Sequence, residues 1–81
     1  MEGIRLYTPE IIILLTLKRK GRLGARKLLE ESGLHTNTLY VNLRKLLAVG
    51  LVVKRDSYYE ITEKGIDLLM HIKRELNEVV N

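Results

Sequence analysis

Four residues with side chains suited to reading polar edges and methyl groups fall within one short run: Asn37, Tyr40, Val41 and Arg44. Leu39, Leu43 and Leu46 interleave with them at i, i+4 and i+7, a spacing that puts the leucines on one face of a helix. At roughly 100° per residue, Asn37, Val41, Arg44 and Ala48 fall on the opposite face, with Tyr40 on its flank. One face is suited to burial. The other offers an amide, a guanidinium and small apolar groups. An amide pairs bidentately with adenine, a guanidinium with guanine or a phosphate, and an apolar group touches the thymine methyl. A helix of this composition suits a DNA major groove. Thr36 and Lys45 complete the candidate contacts on it.

The charge pattern points the same way. The chain carries a net charge of +4, but residues 18–55 hold ten basic side chains against two acids, Glu30 and Glu31, a surplus of eight. The rest of the chain has four basic and eight acidic residues. This asymmetry predicts one surface for a polyanion and another that is not. Arg22, Arg26 and Lys27, ahead of the leucine-spaced helix, and Lys54 and Arg55, after it, are the expected contacts to the nucleic-acid backbone.

Other chemistries find little support. There are no cysteines, so disulfides and thiolate metal sites are excluded. The two histidines, His35 and His71, lack metal-ligand spacing, and no metal or other cofactor is expected. Residues 21–27, GRLGARK, lack the spacing of a phosphate-binding loop, and their glycines read as a helix stop and a turn. Ser57 and the tyrosines have no base to activate them, so no enzymatic activity is expected. The longest apolar run, Ile11–Leu15, is far short of the ~20 residues that cross a membrane, and Met1–Tyr7 does not resemble a signal peptide. A cytoplasmic protein is the expectation.

The elements that must position these residues are legible in order. Met1–Tyr7 alternates Ile4 and Leu6 with Arg5 and Tyr7, as a short strand or an extended arm would. Thr8-Pro9-Glu10 starts a first helix, with Thr as N-cap and Pro at its first position, running to about Arg19 and stopping at Gly21. Its run Ile11–Leu15 is apolar all round, as in a fully buried helix or a dimer interface. Arg22-Leu23 reads as a short strand. A second helix spans about Gly24 to Ser32 and ends at Gly33, burying Ala25, Leu28 and Leu29, with Leu34 plugging the turn after it. The third helix begins near His35 or Thr36 and ends near Val49, with Gly50 as its cap. Leu51–Arg55 and Tyr58–Thr62 form a hairpin about Asp56-Ser57, with Tyr59 and Ile61 on one face and Tyr58 and Glu60 on the other, so that one of the two tyrosines is expected to be exposed and one to join the core. Thr62 caps a fourth helix reaching about Val79. Its two apolar stripes, one through Ile66, Leu69 and Leu76 and one through Leu68, Ile72 and Val79, outrun a three-helix core.

The phrases GLHTNTLYVNLRKLLAVGLV and YYEITEKGIDLL resemble the recognition helix and wing of the winged helix-turn-helix transcription regulators. Similar are the multidrug-resistance, phenolic-acid and arsenical repressor groups and the small regulators of archaea and archaeal viruses. The resemblance covers roughly Thr8 to Met70. It implies an α+β, mostly helical fold: a three-helix core with a two-stranded wing, plus a long C-terminal helix. Residues 1–81 would form one domain, with the helix-turn-helix at 24–49, the wing at 51–62 and a dimerisation helix at 62–79. Such regulators commonly carry a small hydroxyl residue where His35 stands. Either the helix begins one residue later, or Thr36 takes over the cap.

The resulting expectation is a sequence-specific regulator of transcription that binds double-stranded DNA, with the helix at 35–49 in the major groove and the wing at 54–58 on flanking backbone. A homodimer is expected through Ile12, Leu15, Ile72, Leu76, Val79 and Val80, and no small-molecule effector is evident. Two alternatives stay open: a winged helix that binds protein within a larger assembly, and an architectural DNA-binding protein of low sequence specificity.

Overall fold

The computed structural model describes the backbone of residues 8–80 and the side-chain surroundings of residues 8–72. The expectation of a strand or arm at Met1–Tyr7 lies outside the described residues. The fold is α+β and mostly helical. Helix α1 (Thr8–Lys20) leads into β1 (Leu23–Gly24), α2 (Ala25–Ser32) and α3 (Thr36–Ala48). A hairpin of β2 (Val52–Arg55) and β3 (Tyr58–Ile61) follows, and then α4 (Glu63–Val80). The three strands form one antiparallel sheet in the order β1-β3-β2.

The core is made where the leucine spacing of α3 meets α1. Leu39, Leu43 and Leu46 are buried together with Ile13, Leu14 and Leu17 of α1, Leu28 of α2, Val52 and Tyr59 of the hairpin, and Leu69 of α4. Helix α1 touches α2, α3, α4 and β3, so most of its apolar circumference is used inside the chain. Ile12 is half-buried and Leu15 remains 40% exposed. Leu34 packs against the core from the turn between α2 and α3, as the sequence predicts.

Turns follow the residues that permit them. Gly21, Gly33 and Gly50 have positive φ, where a side chain would be strained. At Gly50 the chain leaves α3 through a Schellman motif: the Leu51 N–H donates to the Leu46 carbonyl (2.9 Å) and the Gly50 N–H to that of Leu47 (3.2 Å). Lys64 Nζ also donates to the Val49 carbonyl at 2.8 Å, setting a cation at the negative end of the helix. Thr62 joins this turn to α4. Its hydroxyl donates to the Gly50 carbonyl (2.7 Å) and accepts from the Gly65 N–H (3.1 Å), the expected cap.

Several boundaries differ from the expectation. Helix α1 starts at Thr8 rather than after it and runs one residue past Arg19, to Lys20. The first strand is Leu23–Gly24 instead of Arg22-Leu23, because the register pairs Leu23 with Tyr59 and Gly24 with Tyr58. The hairpin strands exclude Leu51 and Thr62, which turn the chain into and out of the sheet. At the start of α3 neither expected solution is used. His35 keeps the N-cap position without a side-chain cap bond, and its carbonyl accepts the Leu39 N–H at 2.9 Å. The exposed residues His35 and Thr36 leave the first N–H groups of α3 without that side-chain partner.

Candidate nucleic-acid interface

The face of α3 opposite its leucines is open. Tyr40 is 39% and Val41 47% exposed, and Thr36, Asn37, Arg44, Lys45 and Ala48 are exposed as well. The sequence expectation for this face therefore holds as geometry. Asn42, a neighbouring amide, is occupied: its Nδ2 donates to the Thr38 carbonyl one turn back, at 2.8 Å. Asn37 is exposed and makes no such bond among the described residues.

A second set of residues gathers around the hairpin. The first turn of α2 and the tip of the hairpin face each other across an open groove of about 610 Å³. Arg26 and Lys27 line it from α2, and Lys54, Asp56 and Ser57 from the hairpin. Residues far apart in the chain thus form one basic concavity. The α2 end of the groove adds to its positive character. Gly24 supplies no side-chain cap and the first turn holds no acid, so the helix dipole there is uncompensated. Asp56, at the tip, adopts φ of 56°, a left-handed conformation that aspartate tolerates better than most residues.

Not every cation in this region is equally available. Lys27 Nζ lies 3.8 Å from Glu30, Lys20 Nζ 3.5 Å from Glu31, and Arg55 Nε 3.2 Å from Glu60. The two acids inside the basic segment are therefore both engaged by lysines, and the hairpin acid Glu60 engages one of the two hairpin cations. Two other cations rest on aromatic rings. The Arg22 guanidinium lies 5.1 Å from the centroid of Tyr58, and Lys54 Nζ lies 5.5 Å from that of Tyr59. Tyr58 is 44% exposed and Tyr59 7%, which matches the expected division into one exposed and one core aromatic.

Sequence reasoning missed these partners. The signal was present in the two-residue turn at Asp56-Ser57, which fixes the register Lys54↔Tyr59 and Arg55↔Tyr58 and leaves Glu60 diagonal to Arg55. Lys27 and Glu30 stand three apart on one helix, where side chains meet.

Of the residues expected at a dimer interface, Ile12 and Ile72 are half-buried and Leu15 is exposed, while the side chains of Leu76, Val79 and Val80 lie outside the described residues. Among the described residues no helix is long and apolar enough to cross a membrane, and no group of three or more His, Asp or Glu side chains is placed to hold a metal ion. The chain matches no protein-family model, and no curated protein matches it in sequence.

Proposed function

We propose that this protein is a winged helix-turn-helix regulator of transcription that binds double-stranded DNA. Helix α3 enters the major groove, and the hairpin is the wing, lying on flanking backbone. The observation that carries the reading is the division of α3: three leucines fully committed to the core, and Asn37, Tyr40, Val41 and Arg44 on the free side. Asn37 reads adenine, Arg44 takes guanine or a phosphate, and Val41 lies against a thymine methyl. Arg26 and Lys54, around the groove, and Arg22 beside it hold the sugar–phosphate backbone and set the register.

Salt titration of binding tests this directly. If about 6 phosphates are neutralised by a protomer pair, log K falls with log[salt] at a slope of about −5. A flat response, or no binding at low salt, removes the reading. The exposure of Tyr40 and Val41 also favours a second reading, in which α3 packs against a protein partner and those two side chains are its anchors. In that case duplex DNA does not compete with the partner.

A further inference from the structure

We propose that Tyr58 and Tyr59 are positioning residues that hold Arg22 and Lys54 ready for phosphate, while Glu60 keeps Arg55 out of that contact. This rests on the nucleic-acid reading above and divides its cations into working and silenced ones.

The argument is electrostatic. A carboxylate that orients a cation also cancels its charge, so an ion-paired guanidinium must first give up its partner before it gains by meeting a phosphate. An aromatic ring orients a cation through its quadrupole and leaves the full positive charge in place. The hairpin contains both arrangements within a few residues. Arg55 is held by Glu60 at 3.2 Å. Arg22 lies over Tyr58 and Lys54 over Tyr59, and neither has a carboxylate partner among the described residues. The sheet register makes the grouping rigid: Tyr59 sits opposite Lys54 on β2 and opposite Leu23, the residue after Arg22, on β1. Tyr58 and Tyr59 also line the groove, together with Arg26 of α2, so the two ring-held cations border a surface that is already positive. Beside the groove, Arg22 and Lys54 are thus cations whose direction is fixed at no loss of charge.

The test measures binding to a short mixed-sequence duplex across a salt series, because phosphate contacts are independent of sequence. Arg22→Ala and Lys54→Ala each make the log–log slope shallower by about 0.9 per bound protomer, about 1.8 for a protomer pair, as loss of one phosphate contact in each copy requires. Arg55→Ala leaves the slope unchanged, and Glu60→Gln, which frees Arg55, steepens it by about 0.9 per bound protomer. Tyr58→Leu weakens binding about two- to fivefold, Tyr58→Phe keeps wild-type affinity, and Tyr58→Leu has no further effect when Arg22 is already Ala. Rescue by Phe separates positioning from any use of the hydroxyl, and circular dichroism confirms that the exposed Tyr58 variants fold. The proposal is overturned if Arg55→Ala flattens the slope as much as Arg22→Ala, if Tyr58→Phe is as weak as Tyr58→Leu, or if Tyr58→Leu still weakens binding without Arg22. Failure of the wild-type protein to bind at low salt is a separate result, which removes the nucleic-acid reading and this proposal with it.

Discussion

Gly65 illustrates how single atoms decide the packing of α4 onto the hairpin. It lies in the first turns of a helix, where intrinsic preference favours Ala over Gly by about 1 kcal/mol. The structure reverses that preference. A Cβ at Gly65 would collide with the Leu51 carbonyl and come within 2.7 Å of Ile61 Cγ1, and the first of these is backbone that cannot rotate away. The same residue donates its N–H to the Thr62 hydroxyl, so moving α4 outward would also break the cap that ties it to Gly50. Gly65→Ala is therefore expected to destabilise the protein by about 1–3 kcal/mol, against propensity. Urea denaturation measures it, and an unchanged or raised midpoint would show that the helix can shift without cost.

At the scale of elements, α3 carries structure on one face and contact chemistry on the other. Leu39 is fully buried, so Leu39→Ala is expected to cost about 2–5 kcal/mol of stability through lost burial and the cavity left behind. Asn37 is exposed and makes no hydrogen bond among the described residues, so Asn37→Ala is expected to change stability by less than about 0.5 kcal/mol. On a preferred DNA site the same change is expected to cost about 1–3 kcal/mol and to relax base preference at one position. Thermal unfolding and selection of sites from random DNA measure the two quantities. An Asn37→Ala protein that selects an unchanged site would refute α3 as the reading element. This division was legible because a period of 3.6 residues sorts the side chains without reference to anything else in the chain. The start of the same helix was not: whether His35 or Thr36 caps α3 depends on the path of the turn after Gly33, which the local residues leave open.

For the whole molecule the open issue is the apolar surface left after folding. The circumferential apolar run of α1 is largely absorbed by α2, α3, α4 and β3, which leaves Leu15 outside. On α4, Leu69 reaches the core and Met70 stays 54% exposed, and the apolar spacing continues in sequence through Leu76, Val79 and Val80. An apolar stripe continued in this way in the sequence is the kind of feature that associates. We therefore expect a homodimer paired through α4, with Leu15 and Ile12 of α1 alongside. Two-fold pairing would set two copies of α3 about 34 Å apart and call for an inverted-repeat operator. Sedimentation equilibrium checks the first point: a dimer at micromolar concentration that Leu76→Glu converts to monomer. A wild-type monomer would remove both the dimer and its palindromic site.

The sequence by itself determined the order of the elements, the leucine face of α3, the stops at Gly21, Gly33 and Gly50, the cap at Thr62 and the split between Tyr58 and Tyr59. Each of these is a local matter, fixed by helical or strand periodicity or by a backbone conformation that few residues accept. Tertiary structure decided which cations are free. Ten basic residues in one segment look equivalent in a charge count. The hairpin turn alone implies Lys54 beside Tyr59 and Glu60 beside Arg55. Only folding brings Glu31 to Lys20, lays Arg22 on Tyr58, and sets Arg26 and Lys27 across a groove from the hairpin. Those pairings depend on strand register and on which helix end meets which hairpin tip, and no local spacing contains them.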